Sequence, residues 1–448
     1  MGHKVGRPTN EDRPVIDALQ DGPTVTVAIT DIAHKGDGVA VFETEAGEKR
    51  IFVGGALPGE TVRIGISGEG VNERGRVVEV IEGSHDRVEP ACPVYDRCGG
   101  CSLQHWDQTP YLAWKRAQVR AAFADRGLDA EVAEIVATGP ASRRRAVIAV
   151  QRRTGAPIAG FRERLSHTVV DGSDCLVISP RIRAGLPKLV ALSHLLTFGA
   201  KGAIFTVLDT ETGLDVSVGD ATLAPDRRQQ ALSLALELSL ARFSIGREIV
   251  VEAHAPVIRF GGIAVMPPPG GFIQAVAEAE EAMAKLVETA VEAALAARPK
   301  RAKGPPRVAD LFAGCGTFSL RLARLAQVHA VESERGALDA LSFAARHTQG
   351  LKPVSVEVRD LYRRPLMGKE LAFDAVVIDP PRDGAAPQFK ELAKSSVPVI
   401  VAISCNPATL ARDARYLVDA GWTMGEVTPI DQFLWSHHVE AVVVFTKG

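Results

Sequence analysis

No run of apolar residues reaches the roughly 18 that a bilayer-spanning helix needs, so the chain offers no membrane span. Net charge is nearly absent: 52 Lys and Arg stand against 54 Asp and Glu. No global basic field announces a nucleic-acid partner, and any such site must be a local patch. Cysteine is scarce, six in 448 residues, which argues against a disulfide framework. There are no internal repeats and no low-complexity tract. The opening "MGHKVGRPTNEDRP" lacks the apolar core of a signal peptide and reads as a disordered tail over residues 1–21. Its Met-Gly start has Gly6 where a myristoylation signal wants Ser or Thr. These absences lead us to expect a cytoplasmic protein without a membrane partner. The rest of the composition, 46% apolar and 24% charged, is that of a globular chain too long for one core, so two or three domains are expected.

Residues 22–83 read as all β. "TVTVAITDIA" alternates, and "GDGVAVFE", "KRIFVGGALPGETVRIGI" and "RGRVVEVIE" follow, separated by Gly, Pro and Asp turns. Short strands of this kind predict a small barrel. "HKGDGVAV" and "GALPGETVRI" resemble the TRAM type of oligonucleotide-binding (OB-like) barrel, and that resemblance implies RNA binding. Residues 84–265 read as a central α+β domain, with a helix "WKRAQVRAAFADRG" ended by Gly127 and strands such as "RRRAVIAVQ", "AIFTVLDT" and "EIVVEAH". Arg143, Arg144, Arg145, Arg152, Arg153, Arg162 and Arg164 make it locally basic, either as a solvated face or as a phosphate-binding surface. A long helix is predicted over Ala275–Ala297, with Glu281 and Lys285 forming an i,i+4 pair. Beyond the linker "RPKRAKGPPR", strands and helices alternate to the C-terminus, the signature of a doubly wound parallel sheet. Residues 266–448 are therefore expected to form an α/β Rossmann-like domain.

Within that domain four stretches carry chemistry. "VADLFAGCGTFSLRLA" runs from a strand through a turn with Gly314 and Gly316 into a helix. Such a turn lets backbone approach a ligand at a helix N-terminus. The third glycine of the dinucleotide fingerprint is missing, and the stretch instead resembles motif I of class I S-adenosylmethionine methyltransferases. Glu332, sixteen residues beyond Gly316, ends the next strand, where an acid accepts ribose hydroxyls. "AFDAVVIDPPRDGAA" delivers Asp379 at a strand end that two prolines stop. "VAISCNPATL" sets Cys405 where a strand gives way to a helix, with Pro407 at N1. A thiol at a helix N-terminus feels the positive end of the dipole, which predicts a lowered pKa. "WSHHVEAVVVFTK" opens the last strand with Glu440, a carboxylate that is costly there unless paired or functional.

The remaining cysteines cluster. "CPVYDRCGGC" is a C-x5-C-x2-C run, with a distant Cys175 in "DGSDCLVI". Structural zinc more often shows paired C-x2-C knuckles, and the C-x3-C-x2-C of radical enzymes is absent. Four thiolates from Cys92, Cys98, Cys101 and Cys175 suit a four-iron (4Fe-4S) cluster, with zinc as the alternative.

Together "CPVYDRCGGC", "DCLVI", "GGFIQ", "DLFAGCGTFSL", "DPPRDGA", "SCNPATLARD" and "HHVE" resemble the RNA uridine-5-methyltransferases, above all the bacterial 23S rRNA branch with a TRAM domain and an iron–sulfur cluster. The resemblance covers about Thr24 to Lys447. It implies Cys405 as the nucleophile and Glu440 as the general base. It places Gln274, Phe312, Glu332 and Asp379 at the S-adenosylmethionine site, and Phe272 near the substrate base. Two cofactor positions depart: Thr317 stands where relatives commonly have Asn, and Asp360 where some have Asn. The implied reaction adds Cys405 to carbon 6 of uracil, methylates carbon 5 and removes its proton with Glu440. The target uridine would be flipped out of a folded RNA, and the cluster would have a folding role. The enzyme is expected to act as a monomer, most naturally on 23S rRNA, with transfer RNA as the rival substrate. Cytosine methylation, small-molecule methylation and a non-catalytic RNA-binding iron–sulfur protein also compete with this expectation.

Overall fold

The structure is a computed structural model, described here for residues 24–44, 47–68, 73–152, 156–164, 166–300 and 303–447. The expected tail over residues 1–21 lies outside these, as does Arg153. The chain divides into two compact units, one within Met1–Tyr111, Phe161–Asp174 and Trp435–His437, the other within Leu112–Gly160, Cys175–Leu434 and His438–Gly448.

The first unit contains five strands, β1 (Thr24–Ile32), β2 (Gly38–Thr44), β3 (Gly47–Gly54), β4 (Thr61–Ser67) and β5 (Arg74–Glu82). They close into a barrel in the order β1-β2-β3-β5-β4. Register shifts in β1 between Ile29 and Asp31, and at two points in β4, supply the bends that closure needs. The alternating sequence turns Val27, Ile29, Ile51, Val53, Val62 and Ile64 inward, all buried. The alternation read in the sequence is therefore the barrel's inside and outside.

In the second unit, an open sheet follows the long helix α1 (Ala277–Ala296), the element expected over Ala275–Ala297. Glu281 of this helix pairs with Arg321 at 2.6 Å rather than with Lys285. The sequence offered Lys285 as a local partner, but folding brings a guanidinium that binds the carboxylate with two bonds. The sheet strands are β6 (Arg307–Leu311), β7 (Gln327–Glu332), β8 (Val354–Val358), β9 (Ala375–Ile378), β10 (Val399–Ser404), β11 (Trp422–Asp431) and β12 (Glu440–Lys447). Their order is β8-β7-β6-β9-β10-β12-β11, with Val136–Ala137 added beyond β11. β6 to β10 run parallel and β12 is antiparallel to both neighbours. The near-continuous apolar runs of β9 and β10 follow from burial on both faces: every residue of each is buried. One face packs on α2 (Ala386–Lys394) and α3 (Pro407–Asp419) through Phe389, Leu392, Leu410 and Leu417. The other packs on α1 through Met283, Val287 and Val291. The strand order reverses between β6 and β9, the switch point at which open α/β sheets hold ligands.

Candidate active site

Three strand ends meet at this switch point. β6 runs out into Phe312, β9 into Asp379 and β10 into Cys405. The antiparallel pairing of Ser404 with Ala441 brings the exit of β10 beside the entry of β12, so Cys405 and Glu440 share one rim despite standing 35 positions apart. Between these ends lies a cavity of about 820 Å³. Its walls include Gln274, Phe312, Thr317, Glu332, Asp360, Asp379, Cys405 and Glu440, every catalytic and cofactor position named from the sequence, together with Phe272.

The side toward β6 and β7 is built of backbone. Phe312 holds φ 62°, a left-handed value that a bulky side chain adopts only under constraint, and Gly314 and Gly316 follow at φ 55° and 94°. At Gly316 a Cβ would stand 2.4 Å from Leu341 Cδ1, so the turn packs down onto the next helix only with glycine there. The Glu332 carboxylate is pinned by the N–H groups of Gly314 (3.1 Å), Ser333 (2.6 Å) and Glu334 (3.0 Å). Oε2 accepts from Gly314 alone among these, which leaves it room for a ligand hydroxyl. Asp360 is fixed likewise by the N–H of Tyr362 at 2.9 Å, and the Tyr362 ring lies 5.6 Å from that of Phe312. An acid at the second strand end, a glycine turn and an aromatic wall fit the ribose and adenine of S-adenosylmethionine.

The opposite side is acidic and largely buried. Asp310, inside β6 and fully buried, accepts from Ser319 Oγ at 2.6 Å, while its Oδ1 has no partner. Burial pushes its carboxyl up to about 7. Burial, then the neighbouring Asp310, also raises Asp379, against the amide of Gln274 that donates to it at 3.1 Å. Glu440 is raised by burial and then by Asp379. Cys405 is pushed up to about 12, first by burial, then by Glu440 and Asp379, with Arg382 pulling the other way. This reverses the expectation of a lowered thiol pKa. The main reason is burial of the thiol; the helix N-terminus beside it is also capped, with Asn406 Oδ1 accepting from Ala408 N at 3.2 Å and Pro407 offering no N–H. Two carboxyls reach the thiol from β9 and β12, which no local reading of "SCNPATL" contains.

α3 also locks the loop after Asp379. Thr409 Oγ1 and Asn406 Nδ2 donate to Arg382 O at 3.1 and 3.2 Å, Arg412 donates to Asp383 O at 2.9 Å, and Ala385 N donates to Asp413 at 2.7 Å. At Gly384, φ 72°, a Cβ would meet Asp413 Oδ2 at 2.5 Å. The sequence analysis quoted Asn406, Thr409, Arg412 and Asp413 within "SCNPATLARD" without giving them a role; their polar run at i, i+3, i+6 and i+7 was the available signal. Gln432 was missed too. It bridges Gln274 and Glu440, and its only mark in the sequence is a glutamine just past the end of β11.

The cysteines expected to bind a cluster fall in both units. Cys92, Cys98 and Cys101 lie in the first unit and Cys175 in the second, each half-buried. Among the described residues no group of three or more His, Cys, Asp or Glu is placed to hold a metal ion. The C-x5-C-x2-C run instead folds as a turn-rich loop in which Arg164 donates to the carbonyls of Cys98 and Cys101. No described helix is long and apolar enough to cross a membrane.

The switch-point cavity and its pinned acid define a methyltransferase fold. The crystal structure of a Pyrococcus abyssi tRNA (uracil-54, C5)-methyltransferase bound to S-adenosyl-L-homocysteine shares that fold, with TM-score 0.70 at 22% identity over 94% of this chain and 99% of its own. The family described as tRNA (Uracil-5-)-methyltransferase matches residues 270–448. An uncharacterized RNA methyltransferase of Agrobacterium fabrum is 46% identical over 95% of this chain and all of its own length. The 23S rRNA (uracil(1939)-C(5))-methyltransferase RlmD of Chromohalobacter salexigens is 33% identical over 96% of this chain and 90% of its own. The chain belongs to the RNA (uracil-5-)-methyltransferase family, enzymes that use S-adenosylmethionine.

Proposed function

We propose that this enzyme methylates carbon 5 of a uridine in 23S ribosomal RNA, with Cys405 as nucleophile and Glu440 as general base. The observation that carries the reading is the convergence of Cys405, Glu440 and Asp379 on the cavity that also holds Glu332 and the glycine turn. Similarity to an enzyme named for 23S rRNA supports the substrate class. Bound S-adenosylmethionine supplies an electrophilic methyl group, and its positive charge offsets the carboxyls that hold the Cys405 thiol protonated. The Cys405 thiol first gives up its proton to solvent, and the thiolate adds to carbon 6 of uracil; the electron pair displaced from the C5–C6 double bond makes carbon 5 nucleophilic. After methyl transfer Glu440 removes the carbon 5 proton. The C–H pair restores the double bond and expels Cys405 as thiolate. Phe272, 65% exposed at the cavity with the Arg145 guanidinium 5.5 Å from its ring, offers a face on which a flipped base can stack.

The first unit would supply further RNA contacts. There Arg50 and Arg74 flank the Phe52 ring at 5.3 and 5.4 Å, and Arg74, Arg76, Arg97, Arg162 and Arg164 share a cavity of about 580 Å³ with Phe52. Guanidinium groups around an aromatic ring suit phosphate contact and base stacking together, the chemistry expected of a TRAM barrel. The decisive experiment is mass spectrometry of nucleosides from cells lacking the enzyme, with ribosomal and transfer RNA separated. Loss of 5-methyluridine from 23S rRNA is expected. Loss from transfer RNA alone would replace the substrate, and no loss from either would end the reading.

The iron–sulfur reading rests on the donor set alone, four thiols of which three fall within ten residues. No catalytic step passes through these thiols. Protein purified without oxygen should contain about four iron and four sulfide per chain. Zinc in place of iron, or neither metal, would remove the cluster.

A further inference from the structure

We propose that Gln432 is a positioning residue of the catalytic centre: its single side-chain amide ties the Glu440 carboxyl to Gln274 and selects which oxygen of Glu440 takes the proton. The proposal rests on the reading of Glu440 as the base.

Gln432 is 2% exposed, and both hydrogens of its Nε2 are spent inside the site. One goes to Gln274 Oε1 at 2.9 Å and the other to Glu440 Oε1 at 2.6 Å. Gln274 in turn donates to Asp379 Oδ2 at 3.1 Å. The result is a chain, Asp379–Gln274–Gln432–Glu440, with a carboxyl at each end and donors pointing outward to both. With both carboxyls ionised, the polarity of the chain sets the orientation of each amide in it. Turning Gln432 over would set its carbonyl against the acceptor oxygens of Gln274 and Glu440 together. In the orientation present, Gln432 Oε1 and Glu440 Oε2 are both buried without a partner. A buried acceptor is seldom left so, and here the unused Glu440 oxygen is on a residue of the cavity wall. With Oε1 engaged by Gln432, Oε2 is the oxygen left to accept the carbon 5 proton.

The segment that carries Gln432 is anchored on both sides. The Lys115 ammonium, on the helix Gln108–Ala124, meets Asp431 Oδ1 at 2.5 Å, neither side chain reaching solvent. Lys115 also donates to Phe433 O at 3.1 Å, and Thr138 Oγ1 donates to Asp431 O at 2.6 Å. A buried ion pair costs desolvation and is poor evidence of added stability. Placed on the residue before Gln432, it fixes the backbone from which the amide reaches. The charged groups acting on Glu440 and its neighbours are Asp379, the Cys405 thiol, Asp310 behind Asp379, and Arg382 beside the thiol. The Gln432 N–H favours the ionised carboxylate against this acidic surrounding.

The test uses the full-length enzyme, S-adenosylmethionine and unmodified 23S rRNA, with Gln432→Met, close in volume but without a donor, and Gln432→Glu. Covalent adduct formation and its resolution to product are followed separately across pH. The Met variant should still form adduct. It should resolve the adduct roughly tenfold to a hundredfold more slowly, the rate equivalent of one hydrogen bond to a charged group. The acid limb of the resolution rate should move to higher pH, and further for Gln432→Glu. Wild-type resolution with an unmoved limb overturns the proposal. So does a parallel fall in formation and resolution with an unmoved limb, which would make Gln432 a support of the fold. If wild-type enzyme itself forms no adduct, the reading of Cys405 and Glu440 has failed first, and the wild-type arm alone reveals it.

Discussion

Cys405→Ala should abolish methyl transfer while leaving S-adenosylmethionine binding intact. The side of the cavity proposed for the cofactor is built by Glu332, Asp360 and the Phe312–Gly316 turn, and none of their bonds passes through Cys405. Carbon 5 of uracil is too poor a nucleophile to react without addition at carbon 6, so no other wall residue substitutes. A loss of about four orders of magnitude or more is expected, the scale seen when a covalent nucleophile is removed. Calorimetry with S-adenosylmethionine and transfer of labelled methyl to RNA separate the two properties. Activity within tenfold of wild type would dismiss Cys405 as nucleophile. The raised thiol pKa adds a signed pH dependence. The thiolate fraction grows with pH well past the range where an ordinary cysteine is fully ionised. Without cofactor, peptide-resolved alkylation of Cys405 should therefore be slow at neutrality and keep accelerating above the ordinary thiol pKa. A plateau below that pKa would contradict the burial and carboxyl neighbours that raise it.

Glu440→Gln should trap the enzyme on its RNA. The side chain is 4% exposed, and an amide keeps the acceptor that Gln432 engages, so the substitution removes the base with little change of shape. Addition of Cys405 and methyl transfer do not require that base, whereas expulsion of Cys405 waits for the carbon 5 proton. A covalent RNA–protein band stable to denaturant should accumulate toward one per active site, with product formation falling by a factor of about 10² to 10⁴, the range for a missing general base. In the wild type the same step should speed as pH rises, because burial and Asp379 lift the Glu440 pKa and the ionised form is the one that accepts. Normal turnover without adduct would assign the proton to another group.

The sequence made the frame of the site legible because its signals are local. Alternation over residues 24–82 set the barrel's two faces, and continuous apolar runs before Asp379 and Cys405 marked strands buried on both sides. Glycines at positive φ and prolines after strand ends marked the turns that line the cavity. What the sequence hid was set by distant neighbours. The helix dipole argument for Cys405 was sound for an isolated strand–helix turn and failed once tertiary packing buried the thiol and brought Glu440 and Asp379 from other strands. Lys285 was a reasonable partner for Glu281 until Arg321 came within reach. Gln432 lies in no motif, and its role depends on two residues 158 and eight positions away.

The bonds from α3 to residues 382–385 carry an implication for how such enzymes change. The segment after Asp379 and the segment after Cys405 are held through Asn406, Thr409, Arg412 and Asp413, with a glycine required at 384 by the space Asp413 occupies. Each segment is held in part by bonds to the other. They constitute one heritable module written in two separate stretches of sequence, and recombination between Asp379 and Cys405 would divide it.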